Sequence, residues 1–169
     1  MKKALFIILA VICFVIPFFS WIPSIVKCVR FASQCGDYLE LSANANSIEI
    51  AEKRLTKAID YLEENNITSG YTKVFVYYPK NDIGEWYTNL KIAQTQLREM
   101  LERENITELE ESNMLMKLRE TILDEDGYLT KPICIALYPN YKALFWCNCL
   151  LWILWILGIV FSFLAYNEY

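Results

Sequence analysis

Residues 4–26 (ALFIILAVICFVIPFFSWIPSIV) and residues 143–166 (ALFWCNCLLWILWILGIVFSFLAY) decide the fold of this chain of 169 residues. Neither stretch contains an Asp, Glu, Lys or Arg. An α-helix rises about 1.5 Å per residue, so roughly 20 apolar residues cross the hydrocarbon core of a bilayer. We therefore predict a transmembrane anchor over 1–27, and a second transmembrane helix with a short tail over 142–169.

The start of the chain also has features of a signal peptide, because Lys2 and Lys3 precede the first apolar stretch. The stretch is longer than a typical signal core, however, and no small-residue cleavage site follows it. We therefore expect an uncleaved anchor.

The middle of the chain is charged and mildly acidic. Residues 27–142 contain fourteen Lys and Arg and nineteen Asp and Glu, a net charge of −5. This composition predicts a solvated domain, which we place at 28–141. Its basic residues form no stripe, and phosphate recognition needs clustered Lys and Arg, so we expect no nucleic-acid partner.

The sequence lacks histidine altogether. Histidine is the commonest general base near neutral pH and the commonest metal ligand. The five glycines are scattered and form no phosphate-binding loop. We therefore predict a protein that is not an enzyme, with no catalytic, cofactor-binding or metal-binding residues and no cofactor.

Three amphipathic helices are predicted in the domain, at about 38–65, 84–104 and 107–124, and together they indicate an antiparallel bundle. The first has an apolar residue every seven positions, a heptad-like face typical of coiled coils: Leu41, Ile48, Leu55 and Leu62. Polar residues mark the starts of the other two: Asp82 as an N-cap, and Thr107 with Glu110 as a capping box.

Two segments rich in β-branched and aromatic residues, at about 71–78 and 132–138, each end at a proline. They predict two short strands that pair as a ribbon against the helices. The expected fold is thus a mostly α membrane protein, in which two transmembrane helices bracket an antiparallel helical bundle with a short two-stranded β-ribbon.

An aromatic cluster is the first candidate site. It indicates either an exposed partner surface or ordinary core, and the sequence leaves both open. Its members are Tyr71, Phe75, Tyr77, Tyr78, Trp86 and Tyr87.

The cysteines are the second candidate site. A disulfide between Cys35 and Cys134 would tie the two ends of the domain together, and Cys28 with Cys35 is the local alternative. The third reading is that all six cysteines are free thiols.

Asn148 is the third candidate, since it places an amide inside the second apolar stretch. It either hydrogen-bonds a neighbouring helix within the membrane or reaches interfacial water.

The distribution of basic residues bears on the side of the membrane that the domain occupies. Lys2 and Lys3 favour a cytoplasmic amino terminus, which places the domain outside the cytoplasm at a plasma or inner membrane. Four basic residues beside the helices on the domain side favour the opposite orientation, with the domain in the cytoplasm: Lys27, Arg30, Lys131 and Lys142.

These observations favour a non-enzymatic, membrane-anchored interaction or scaffold protein. Its expected partners are membrane lipid and either another membrane protein or a second copy of the chain. The first alternative is a homo-oligomeric channel or a transport accessory subunit. The second is a thiol-redox membrane enzyme that uses Cys28, Cys35 or Cys134.

Overall fold

The computed structural model describes residues 2–73, 78–139 and 141–167. The chain divides into two compact units. The apolar unit comprises Met1–Lys27 and Asn140–Tyr169, and the central domain comprises Cys28–Pro139. The structure is mostly helical, and no strand occurs in the described ranges.

Two helices, α1 (Lys2–Ser20) and α7 (Tyr141–Asn167), pack against each other in the apolar unit. Their contact includes small residues, because a Cβ atom added at Gly158 would lie only 3.1 Å from the Phe14 ring and 3.2 Å from the Cβ of Cys13. Small residues let helix backbones approach closely, which is typical of helix pairs in membranes. Ring contacts extend the packing, with Phe14 edge-on to Trp155 at 5.4 Å between centroids.

Two helical stretches, Ala4–Ala43 and Ala143–Asn167, are long and apolar enough to cross a membrane. Only 18% and 11% of the residues in their most apolar 18-residue windows are buried in the structure. The core helix of a soluble protein would be mostly buried, so these two helices differ from core helices in how they present their side chains.

The central domain is a bundle of α3 (Asp37–Ala43), α4 (Ile48–Glu64), α5 (Ile83–Leu101) and α6 (Glu108–Ile122). Before α3 the chain passes through α2 (Ile22–Phe31) and a π-helical turn at Ala32–Gly36. Helix α3 packs on α4 and α6, and α5 packs on α4 and α6. The core includes Leu39, Leu55, Ile59, Leu62, Ile83, Leu90, Leu97, Leu118, Ile122 and Ile135.

The predicted helix at 38–65 is divided into α3 and α4 by a break at residues 44–47. Ser47 is the N-cap of α4 and accepts a hydrogen bond from the Ile50 amide at 3.4 Å. The buried Ser42 hydroxyl donates to the carbonyl of Ala51 at 2.7 Å, which joins the two helices across the break.

The break changes how the heptad face is used. Ile48, Leu55 and Leu62 lie in the core of the domain, whereas Leu41, before the break, is 47% exposed. The heptad residues of α4 therefore pack within the domain's own bundle.

The predicted strand at 132–138 is wrong. Cys134 has a left-handed backbone (φ 63°), and a 3₁₀ turn follows at Ile135–Leu137. The amides of Ile135 and Leu137 bond carbonyls three residues earlier, so the backbone is satisfied locally and no ladder forms. In the predicted strand at 71–78, Tyr71 forms an isolated bridge with Asp82, and residues 74–77 lie outside the described ranges. The predicted ribbon is therefore not found among the described residues.

Both predicted helix caps are confirmed. Asp82 accepts hydrogen bonds from the amides of Gly84 and Glu85, at 2.8 and 3.2 Å. Thr107 accepts from the Glu110 amide, and the Glu110 carboxylate accepts in return from the Thr107 amide. The Glu110 carboxyl has its pKa lowered by these bonds, first of all by the one from the backbone.

Candidate interaction site

A groove opens on the surface of the central domain. It runs between the first turns of α5 and the segment 124–132, and its volume is about 490 Å³. We call it the loop groove. It is lined by Pro79, Lys80, Asp82, Glu85, Trp86, Asn89, Asp124, Leu129, Thr130, Lys131 and Pro132.

Trp86 lies in the wall of the loop groove and ties its two sides together. Its ring is 9% exposed, and its indole N–H donates to the carbonyl of Thr130 at 2.7 Å. A buried tryptophan needs an acceptor for its N–H, and here the backbone of the opposite wall supplies it. Trp86 is therefore buried in the core of the domain, which agrees with the core reading that the sequence left open for members of the aromatic cluster.

The far wall of the groove is a tight loop that follows α6. The amide of Asp124 donates to the Tyr128 carbonyl at 2.8 Å, and the Tyr128 amide donates to the Asp124 carboxylate at 2.7 Å. Gly127, at φ +83°, provides the left-handed turn between them. This loop places Tyr128 at the surface, where it is 72% exposed.

Sequence reasoning missed Tyr128. The available signal was an aromatic residue directly after the turn sequence Asp126-Gly127, outside any apolar periodicity. Such a residue does not belong to the apolar face of a helix, so a turn at this position leaves its side chain exposed.

Two members of the predicted aromatic cluster, Tyr71 and Tyr78, are exposed. The Lys73 amine lies 5.7 Å from the centroid of the Tyr78 ring, a cation–π contact. Phe75 and Tyr77 lie outside the described residues. A partner surface that includes Tyr71 and Tyr78 stays a prediction.

Tyr87, the last member of that cluster, joins two helices. Its hydroxyl donates to the Glu63 carboxylate at 2.6 Å, and the Lys91 amine donates to the same oxygen at 3.2 Å. These bonds, the one from Tyr87 first, lower the pKa of the Glu63 carboxyl. Burial and then the bond to Glu63 raise the pKa of Tyr87 to about 12. The half-buried Tyr87 thus acts as a link between α4 and α5.

The charges lining the groove are mixed, and several are engaged locally. Asp82 caps α5, and Asp124 accepts from the Tyr128 amide. The Lys131 amine lies 5.6 Å from the centroid of the Phe31 ring. Within the ranges that the structure describes, no three His, Cys, Asp or Glu side chains converge as a metal site. The groove thus presents apolar and polar walls beside an exposed tyrosine, which suits contact with a protein surface.

The two cysteines of the predicted disulfide occupy different environments. Cys35 is fully buried, and burial raises the pKa of its thiol to about 12, against a smaller opposing effect of Lys131. Cys134 is exposed, as is Cys28, and all of these cysteines are free thiols in the structure. The pairing of Cys35 with Cys134 therefore stays a prediction.

Asn148 lies on α7, beside an apolar pocket of about 170 Å³ in the apolar unit. The pocket is lined by Trp21, Asn148, Leu151, Trp152 and Trp155. Among the side chains that the structure describes, none is hydrogen-bonded to the Asn148 amide, and the predicted contact with a neighbouring helix stays a prediction.

The chain matches no protein-family model, no curated protein and no solved structure.

Proposed function

We propose that this chain is a non-enzymatic, membrane-anchored interaction protein. Helices α1 and α7 cross the membrane, and the central domain binds a partner protein or a second copy at the membrane surface. The amino-terminal lysines favour a domain outside the cytoplasm.

The main support for membrane anchoring is that the apolar side chains of α1 and α7 are exposed. Apolar side chains such as Phe18, Leu150 and Phe163 are each more than 60% exposed on α1 and α7 of the apolar unit. Leaving apolar surface in water costs about 25 cal/mol per Å². Lipid removes that cost along the whole length of both helices.

The loop groove supports the second half of the proposal. The heptad residues of α4 are buried in the bundle and are not available to a partner. Tyr128 and Tyr78, by contrast, are exposed, and each is next in sequence to a residue that lines the loop groove, Leu129 and Pro79 respectively. Tyrosine is enriched at protein interfaces because its ring supplies apolar contact and its hydroxyl a hydrogen bond.

The first test is membrane integration of the full chain. After alkaline carbonate washing of membranes, we expect the chain to stay in the pellet and to enter solution only with detergent. Release into the carbonate supernatant would contradict the anchoring.

The second test is the mass and composition of the native complex after mild detergent extraction. We expect a second copy or a second protein, and we expect Tyr128→Ala to reduce that association. Leu109→Ala is the matched control, because Leu109 is 70% exposed against 72% for Tyr128 but lies at the start of α6, away from the groove. A bare monomer that crosslinks to nothing in cells, or equal effects of the two variants, would contradict the proposal.

A further inference from the structure

The pocket beside Asn148 combines one amide with walls of large aromatic rings. Trp21, Trp152 and Trp155 each keep more than 40% of their surface exposed, so the rings stand around the pocket rather than fill it. The edge-on contact with Phe14 holds Trp155 in place. Asn148 supplies the only side-chain amide among the lining residues.

Asn148 lies in the outer part of the hydrocarbon core, near the layer of lipid esters at its boundary. Asn148 is between six and seven residues from the middle of the apolar stretch 143–166, which corresponds to about 10 Å along a helix axis. The hydrocarbon core extends about 15 Å to either side of its midplane. The amide is therefore about 5 Å below the core boundary, while Trp155 lies near the midplane.

The small residues suited to close helix contact are already used within the chain. Ala10, Cys13 and Gly158 are buried in the apolar unit, and Gly158 lies against α1. Around Asn148 the neighbours are indole rings, which keep the backbone of another helix at a distance. A thin, flexible chain fits between such rings more readily than a second helix does.

We propose that this pocket binds one acyl chain of a membrane glycerolipid, with the Asn148 amide donating a hydrogen bond to the ester carbonyl. The inference rests on the proposed membrane crossing of α1 and α7. The volume of about 170 Å³ holds roughly six methylene groups, if each fills about as much space as a water molecule in the liquid, ~30 Å³. The upper part of one chain therefore occupies the pocket, and the rest continues into the bilayer.

The test is native mass spectrometry of the full chain, extracted in mild detergent and equilibrated with phosphatidylcholine. We expect one retained lipid per chain. Asn148→Leu keeps the size and removes the donor, so we expect about threefold to thirtyfold weaker retention. This range corresponds to ~0.6–2 kcal/mol for a hydrogen bond within a membrane, at 1.4 kcal/mol per tenfold change.

Two control variants separate the amide from general effects on the helix. Asn148→Gln keeps an amide donor and is expected to restore much of the retention. Ile159→Leu changes an exposed side chain that does not line the pocket and is expected to leave retention unchanged.

The outcomes separate this inference from the proposed function. If the chain resists carbonate but Asn148→Leu retains lipid as the wild type does, the lipid site is refuted and the anchoring stands. The same holds if Asn148→Leu abolishes a dimer rather than a bound lipid, because a second copy is then the occupant. If carbonate releases the chain, both fail together.

Discussion

Replacing Leu55 or Leu41 by alanine tests whether the heptad pattern or the observed break controls the packing of the domain. Both leucines occupy the same position of the seven-residue repeat. In the structure Leu55 is fully buried in α4, whereas Leu41 in α3 is 47% exposed. A continuous helix with one heptad face would make the two substitutions similar in cost. The divided helix makes them different.

The expected costs follow from burial. Leu→Ala removes three carbons, or ~2.4 kcal/mol of transfer free energy at ~0.8 kcal/mol per methylene. At Leu55 the enclosed cavity adds to this, so we expect the free energy of unfolding to fall by about 3–4 kcal/mol. At Leu41 only about half of the transfer free energy is lost, because the side chain is already half exposed. Water fills the space left by the removed carbons, and the slightly higher helix propensity of alanine offsets part of the loss. We expect about 1 kcal/mol or less there.

The assay is urea unfolding of the full chain in lipid nanodiscs, followed by circular dichroism, with the apolar helices as a constant baseline. A gap of about 2 kcal/mol or more between the variants supports the break at residues 44–47. Equal costs, or a larger cost at Leu41, would refute the reasoning.

Three further predictions concern single side chains. Ser47→Ala removes the N-cap of α4 and is expected to lower the free energy of unfolding by about 0.5–2 kcal/mol; no loss in the same urea assay would contradict the cap. Tyr87→Phe removes the bond that most lowers the pKa of Glu63, so stability should fall above pH 4.5 and converge with the wild type as the pH drops below that value. Because the Glu63 side chain is 45% exposed, we expect a loss of about 1 kcal/mol or less. A difference in stability that does not shrink as the pH falls below 4.5 would argue against this role of the bond. In the native chain at about pH 8, we expect iodoacetamide to alkylate Cys134 and to spare Cys35, because the Cys35 thiol is buried and has a pKa of about 12. The labelling is measured by mass spectrometry, and equal labelling of the two cysteines would contradict the burial of Cys35.

Local signals in the sequence were sufficient for the starts of α5 and α6 and for the two apolar helices. The caps at Asp82 and Thr107 depend on amides two or three residues away, so the sequence contains the whole interaction. The apolar stretches depend only on composition over about 20 residues. Features whose causes lie within one or two turns of the chain are therefore predictable without a structure.

The break at residues 44–47 depends on contacts between distant positions. The Ser42 hydroxyl bonds a carbonyl nine residues away, and the Ile48 amide donates to Glu111, 63 residues away. Neither glycine nor proline occurs between 38 and 65, so local signals favoured one helix. The strand predicted at 132–138 was also wrong, because Ile135 is buried in the core from a 3₁₀ turn and not from an extended segment.

The difference between features set by local sequence and features set by distant contacts also applies to the candidate interaction site. A heptad face and a seam of small residues are the features that most often indicate association, and in this chain both are used internally, at Leu55 in the bundle and at Gly158 between α1 and α7. The two surfaces considered above are instead produced by tertiary contacts. Tyr128 lies in the loop that Thr130 joins to Trp86, and the Asn148 pocket is lined by Trp21 from the turn after α1 and by two indole rings of α7. Under the proposed function, recognition depends on the folded loops, and loosening the bond between Trp86 and Thr130 is then expected to weaken partner binding more than it weakens the helices. Trp86→Phe provides that test, because it removes the indole N–H and keeps a smaller aromatic ring in the core. Reduced association with retained helicity is the expected result, and unchanged association would show that the loop groove is not the partner surface.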